Sequence, residues 1–296
     1  MHTNPAHLPT RRQLIGAATA AAAALPLVAA RSAPAQELLK SPAPESSRPD
    51  PWRGLKMGVA TYSLRGMKVE DAIVAIQRVD LKYASIKDVH LRLDAHPSWK
   101  LAVVRKFKEA GITPISCGVI NMTGDEAEIR KAFEYARDIN VPTIVCSPDP
   151  ESMETLDKLV KEFDIKLAIH NHGPGDKKYP SPYDAMKLAE KFDERIGVCI
   201  DVGHTARAGV DPAESIRKCA ERLYDVHLKD VANPKQRGPE VELGRGDLDV
   251  PAMLQALQEI KYAHHVGFEH EKHPKDPVPG LAESVGYAKG LMRSRQ

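Results

Sequence analysis

The sequence predicts an α/β protein with the fold of a (β/α)8 TIM barrel. Eight short apolar or β-branched runs follow one another from Lys56 onward, and stretches with apolar residues at i, i+3 and i+4 separate them. Eight strand–helix units in roughly 250 residues are typical of a closed barrel. The first turn, at residues 62–66, lacks the glycine-rich fingerprint of an open dinucleotide-binding sheet. The predicted strands are 57–63, 83–89, 112–120, 143–147, 166–172, 196–202, 223–229 and 265–269.

The first 54 residues read as an export signal and a linker. The pair Arg11 and Arg12 precedes an alanine-rich apolar run to about Ala30, with small residues up to Ala35. Residues 1–35 therefore resemble a twin-arginine signal peptide. The apolar run is at or below the about 17–25 residues that span a bilayer, which favours a cleaved signal over an anchor. We expect a periplasmic protein with no stable membrane insertion after cleavage, a disordered linker at 36–54 and the barrel at 55–296.

The charge balance argues against a nucleic-acid partner. The chain has 42 Lys+Arg and 40 Asp+Glu, and removing the three arginines of residues 1–35 from the 42 leaves 39 basic residues. A protein that binds nucleic acid through counterion release normally has a basic excess or stripe. We therefore expect no nucleic-acid partner, and the sequence leaves a homo-oligomer open.

Polar residues interrupt the last four apolar strands close to their carboxyl ends, where the chemistry of such barrels takes place. Because side chains alternate along a strand, His170 shares a face with His172, and Glu269 shares one with Glu271. Two imidazoles and two carboxylates from four neighbouring strands then converge. This mixed nitrogen and oxygen set predicts one divalent metal ion, with Mn²⁺, Co²⁺ and Zn²⁺ favoured over Ca²⁺. The polar segments are 170–172, 201–204, 227–230 and 269–271.

These segments resemble the xylose isomerase-like TIM-barrel superfamily, which holds sugar isomerases and epimerases, inosose dehydratases and endonuclease IV. The resemblance rests on Asp201-Val202-Gly203-His204, Ala208-Gly209-Val210-Asp211-Pro212, His227-Leu228-Lys229-Asp230 and the turn at 244–249. It implies metal ligands from strands five to eight, which places Asp201, His227 and Glu269 among them. Where epimerases of this group usually have a glutamate, this chain has His170 as the fourth ligand.

The resemblance also implies roles for the remaining polar residues. Many epimerases of this group use two glutamates on opposite faces of the substrate. With His170 in place of the first, Glu269 is the expected carboxylate base and His172 or Glu271 its proton partner. We expect Lys229 to stabilise a developing enediolate oxygen, and a salt bridge with Asp230 is the alternative. The expected substrate-binding residues are His204, Arg245 and Glu271, with loop capping and loop bracing as the alternatives for His204 and Arg245.

The predicted function is a metal-dependent sugar isomerase or epimerase that removes a proton next to a carbonyl. A keto-sugar or keto-glycoside lyase or dehydratase using the same site is the alternative. Two further classes fit less well. A non-catalytic sugar-binding barrel would need aromatic platforms, and aromatic residues are only 5% of the chain. A nuclease resembling endonuclease IV would need histidines that are missing after Cys146 and after strand seven.

Overall fold

The computed structural model describes residues 50–294, so the predicted signal peptide and residues 36–49 of the predicted linker lie outside the described residues. Eight parallel strands form the core: β1 (Lys56–Ala60), β2 (Tyr83–Ile86), β3 (Thr113–Met122), β4 (Thr143–Pro148), β5 (Lys166–His170), β6 (Ile196–Asp201), β7 (Leu223–Leu228) and β10 (His265–Phe268). They close into a barrel in the order β1-β10-β7-β6-β5-β4-β3-β2, which confirms the predicted fold. Between β7 and β10, β8 (Asp230–Val231) and β9 (Glu240–Val241) form a short antiparallel ribbon.

Helices follow the strands and cover the outside of the barrel. They are α1 (Val69–Arg78), α2 (Pro97–Glu109), α3 (Glu126–Asp138), α4 (Met153–Phe163), α5 (Pro182–Ala189), α6 (Val202–Arg207), α7 (Pro212–Lys218), α8 (Val250–Glu259) and α9 (Val278–Ser294). No helix within residues 50–294 is long and apolar enough to cross a membrane.

Residues that cap helices fix where several of them begin and end. Asp211 accepts a hydrogen bond from the Glu214 amide, and Pro212 occupies the first turn of α7, as the sequence predicts. Gly111 follows α2 with φ of +75°, a conformation that favours glycine over residues with a Cβ. Because these ends are fixed locally, each following strand enters the barrel in a defined position.

The barrel strands end one to three residues earlier than predicted wherever a helical turn begins inside the predicted run. Thr61–Leu64 is a 3-10 turn rather than the end of β1, and α6 begins directly after Asp201. The packed part of the chain also begins before residue 55. Trp52 is buried, and its ring lies 6.2 Å from the ring of Phe268.

Candidate metal centre

Four buried side chains from four neighbouring strands meet at the carboxyl end of the barrel. His170 and Asp201 end β5 and β6, His227 lies in β7, and Glu269 directly follows β10. One ligand atom from each of the four lies within 4.8 Å of the others. The structure thus brings together the four residues predicted as metal ligands.

The separations within this cluster fit a metal ion. His170 Nε2 lies 3.1 Å from His227 Nδ1 and 3.6 Å from Asp201 Oδ2, and His227 Nδ1 lies 3.1 Å from Glu269 Oε2. Ligand atoms that each lie about 2.0–2.2 Å from one ion are about 2.8–3.6 Å apart at octahedral or tetrahedral angles. Two imidazoles with two carboxylates suit Mn²⁺, Co²⁺ or Zn²⁺.

Asp201 uses its two carboxylate oxygens for different tasks. Oδ1 accepts the amide hydrogen of His204 at 2.8 Å and so caps α6. Oδ2 is buried, faces the cluster and has no aligned hydrogen-bond donor. The Asp201 amide in turn donates to Oδ1 of the buried Asn171 at 3.0 Å, which fixes the end of β6. Asn171 is a positioning residue that the sequence did not reveal, although it stands between the two histidines of strand five.

The surroundings shift the pKa values of the two cluster histidines in opposite directions. Burial lowers the pKa of His170 to about 3, so its ring is neutral at pH 7, the form that binds metal. Burial acts in the same direction on His227, but the neighbouring Cys199 and the Glu269 carboxylate outweigh it and raise its pKa. Because metal binding needs the neutral imidazole, a metal ion at His227 would have to displace the ring proton.

Lys229 lies behind the cluster, enclosed by carboxylates. Its Nζ is 2.9 Å from Asp201 Oδ2 and 2.7 Å from Glu269 Oε2, and it donates an aligned hydrogen bond to Glu271 Oε1 at 2.7 Å. The side chain of Lys229 is 2% exposed and passes over Gly203. A Cβ atom at position 203 would lie 2.8 Å from the Cδ atom of Lys229. Because the aligned hydrogen bond of Lys229 is donated to Glu271, the carboxylates of Asp201 and Glu269 remain directed at the cluster.

The same contacts set the charge of the two carboxylates in the cluster. Burial opposes the ionisation of Glu269, but His227 and Lys229 beside it outweigh this and hold its pKa well below the usual range. For Asp201 burial is likewise outweighed, chiefly by Lys229, and its pKa is also lowered. Both carboxylates are therefore ionised at neutral pH, the form that binds a cation or accepts a proton.

A cavity of about 320 Å³ opens onto this cluster. Three further predicted site residues, His172, His204 and Glu271, line it together with His170 and Glu269. Burial lowers the pKa of His172, whose Nδ1 lies 3.2 Å from Asp176 Oδ2. The cavity thus joins the cluster to imidazole and carboxylate groups that can exchange protons with a ligand.

Two predicted site residues outside the cluster do not line the cavity. Lys229 instead contacts the Asp201 and Glu269 carboxylates of the cluster. Arg245 is 63% exposed on the outside, and its guanidinium pairs with Glu283. The turn that carries Arg245 is held instead through Asp230, because this buried carboxylate accepts the amides of Gly244 and Gly246 at 2.9 and 3.0 Å.

The sequence did not reveal the remaining residues that line the cavity. Tyr62, Lys87, Val119 and Asn121 line it, together with Gly118, from positions in or directly after β1, β2 and β3. Lys87 directly follows β2, so the signal that identified strands five to eight, a polar residue at a strand end, was also present here.

We expect metal ions to stabilise the protein against heat. An ion that binds only the folded state at 100 times its Kd adds about 2.7 kcal/mol to the free energy of unfolding. Chelated protein titrated with Mn²⁺, Co²⁺ or Zn²⁺ should therefore show a midpoint several degrees higher by differential scanning fluorimetry. Ca²⁺, which prefers all-oxygen sites, is the control. Equal midpoints with and without all three metals would contradict the metal site.

We expect the change Lys229→Met to lower the free energy of unfolding chiefly when no metal is bound. Without the ammonium, the buried Asp201 and Glu269 carboxylates lose their nearest cation, and breaking such a buried pair costs about 3–5 kcal/mol. A bound divalent ion supplies positive charge to the same two carboxylates, so the loss should be smaller. Urea unfolding of chelated and Mn²⁺-loaded protein measures the difference, and an equal loss in both states would count against this role of Lys229.

Comparison with known protein families gives one match over most of the chain. The family model described as xylose isomerase-like TIM barrel matches residues 76–291. Among solved structures, L-ribulose 3-epimerase has a TM-score of 0.65 at 15% identity, over 81% of this chain and 96% of that one. The IolI protein with a bound zinc atom has a TM-score of 0.65 at 15% identity, over 80% of this chain and 98% of that one. At these identities the structures show a shared fold.

Curated relatives match a shorter part of the chain. Rhizopine catabolism protein MocC of Rhizobium meliloti is 28% identical over 141 residues, which cover 43% of each chain. Inosose dehydratase of Clostridium perfringens is 27% identical over 154 residues, 47% of this chain and 50% of that protein. The matched part of the chain thus spans about half the length of these relatives.

Proposed function

Since the chain belongs to the xylose isomerase-like TIM barrel family, we propose that it is a metal-dependent sugar isomerase or epimerase that removes a proton next to the carbonyl of a sugar or keto-sugar. The observation that supports this most is the buried cluster of His170, Asp201, His227 and Glu269 at the edge of the cavity. Structural neighbours named as sugar epimerases and curated relatives named as inosose dehydratases agree with a small sugar as substrate.

The cluster residues would hold one divalent ion, which would supply a Lewis acid for a carbonyl oxygen and so lower the barrier to removing the adjacent proton. Glu269 is the proton acceptor in this proposal, because it lines the cavity and its lowered pKa keeps it ionised. The electrons of the broken C–H bond form a C=C bond, and the carbonyl electron pair moves to its oxygen. The proton of the hydroxyl on the neighbouring carbon moves to the former carbonyl oxygen, so that the neighbouring carbon becomes the new carbonyl. Glu269 returns the first proton to the former carbonyl carbon, which completes an isomerisation.

The placement of the carboxylates favours proton transfer on one face of the substrate. Glu269 and Glu271 both line the cavity, and both follow the same strand, β10. At the position where a second glutamate is usual in the family's epimerases there is an imidazole, that of His170. One base that removes and returns a proton on one face serves a 1,2-isomerisation better than an epimerisation, which delivers the proton to the opposite face.

The same observation favours a second outcome, elimination. A lyase or dehydratase needs one base and a group that protonates the departing oxygen, and His172 lines the cavity next to His170 with 4.5 Å between the ring centroids. After proton removal by Glu269, the electrons would expel an oxygen substituent one carbon further along, and His172 would supply its proton. The curated relatives named as inosose dehydratases support this alternative.

The test is exchange with solvent deuterium. We would incubate the metal-loaded chain in D₂O with free keto-sugars and 3-keto-glycosides and follow the products by NMR. Deuterium next to the carbonyl, with all substituents retained, is the result expected for an isomerase or epimerase. Loss of water or of the aglycone would identify a lyase. Absence of exchange on every substrate by the metal-loaded protein would contradict the proposal and favour a sugar-binding barrel.

We propose further that the protein is exported to the periplasm through the twin-arginine route. The proposal rests on the sequence of residues 1–35, with Arg11 and Arg12 ahead of an apolar run. The change of both arginines to lysine in the full chain should keep the precursor in the cytoplasm, as shown by immunoblots of fractionated cells. Unchanged periplasmic processing would contradict this route.

A further inference from the structure

The part of the cavity wall that comes from β1, β2 and β3 and the turns after them has no role in the proposed reaction. Among the residues that line the cavity, Lys87 is the only lysine or arginine, and it lies on this wall with Tyr62 and Asn121. Glu269 and Glu271 lie on a second wall, after β10, and β1 alone separates β10 from β2 in the barrel. A ligand in the cavity therefore meets two anionic groups and, two strands away, one cationic group.

Lys87 is held in place at both its backbone and its side chain. Its amide donates to Oγ1 of the buried Thr61 at 2.8 Å, which fixes the end of β2 against the turn after β1. Its Nζ donates to the Val119 carbonyl oxygen at 2.5 Å and lies 3.4 Å from Asp88 Oδ1. An ammonium has three hydrogens, so at least one donor remains for a ligand in the cavity.

Arg65 links the two walls at Tyr62, in the turn after β1, and at Glu271, after β10. Its guanidinium lies 4.4 Å from the centre of the Tyr62 ring and donates to the Glu271 carbonyl oxygen at 2.9 Å. A ligand bound at both walls is therefore held in one orientation. Such orientation is a large part of what an active site contributes to rate, because it brings one particular atom to the reacting group.

We propose that Lys87 anchors the substrate: it donates a hydrogen bond to a sugar oxygen at the β2 side of the cavity and so determines which carbon faces Glu269. This inference rests on the proposed function for the role of Glu269. The ligand chemistry that it requires is an uncharged hydroxyl or carbonyl oxygen, because Asp88 already balances the charge of Lys87. Lys87 would not bind the metal, which separates its effects from those of the cluster.

The experiment compares Lys87→Met with the control Lys82→Met. Lys82 lies just before β2, and its side chain is 60% exposed beside Asp80. The probes are sorbitol and xylitol, which have no carbonyl and cannot react, titrated into Mn²⁺-loaded protein by calorimetry. For Lys87→Met we expect polyol binding to weaken about 10- to 100-fold, the size of a lost hydrogen bond to a charged group. Manganese content and the unfolding midpoint should match those of Lys82→Met, and Lys87→Arg should recover part of the binding.

The outcomes separate this inference from the proposed reaction. In the D₂O exchange assay we expect Lys87→Met to raise KM more than it lowers kcat and to spread deuterium over more than one carbon. Unchanged polyol binding and an unchanged site of exchange would overturn the role of Lys87 while leaving the reaction in place. Weakened polyol binding in a protein whose wild type exchanges nothing would support the anchor and contradict the reaction. Failure of the wild type to bind any polyol or to exchange deuterium would overturn both.

Discussion

In Glu269→Gln we expect turnover to fall by about 10²- to 10⁴-fold, the usual contribution of a positioned base, while the fold is retained. Glutamine has nearly the same shape as glutamate but cannot accept a proton at neutral pH. It also removes the negative charge that faces His227 and Lys229 at 3.1 and 2.7 Å. The measurement is the rate of deuterium exchange next to the substrate carbonyl, with metal content determined on the same sample.

The matched control is Glu283→Gln, which makes the same chemical change in an ion pair with Arg245 on the outside of the barrel. Exposed pairs of this kind contribute about 1 kcal/mol or less, so activity and stability should stay near those of the wild type. Near-normal exchange in Glu269→Gln would remove Glu269 as the base. An equal loss in both variants would show that the effect is not specific to the cluster.

In His227→Ala we expect the metal to be lost and activity with it. The ring lies 3.1 Å from both His170 Nε2 and Glu269 Oε2, so the change leaves three of the four candidate ligands and a gap among them. Loss of a residue that merely supports a ligand lowers metal affinity about 10- to 100-fold, and loss of a ligand should cost at least as much. Metal content after dialysis, measured by plasma mass spectrometry, tests this directly.

The exposed His273 provides the control for His227→Ala. In His273→Ala metal content should equal that of the wild type. A second variant, His227→Asn, keeps a polar side chain in the buried position and guards against loss of metal through unfolding. Full metal occupancy in a folded His227 variant would contradict the ligand assignment.

The sequence predicted the barrel because the period of apolar residues changes between strand and helix eight times. It predicted the four-residue cluster because polar residues in apolar strands share an edge of the barrel. Strand ends were predicted less accurately. In the turn after β1, for example, Thr61 accepts a hydrogen bond from the Lys87 amide, which lies 26 residues further along the chain. No local pattern reports such a partner.

The sequence could not show how deeply each lysine or arginine side chain is buried, or what surrounds it. The alternation of side chains along a strand does not predict that three carboxylates enclose Lys229. Arg245 stands in a glycine-flanked turn, and only the structure shows that the turn is held by Asp230 while the guanidinium points outward to Glu283. Lys87 was placed inside a predicted strand, because the run 83–89 continues past the observed end of β2 at Ile86.

The candidate metal ligands and the other residues that line the cavity come from different parts of the chain. Every candidate metal ligand comes from β5 onward, whereas Tyr62, Lys87 and Asn121 come from the part before β4. Under the proposed function, a directed-evolution library restricted to residues 61–121 should therefore yield altered substrate preference at unchanged metal content.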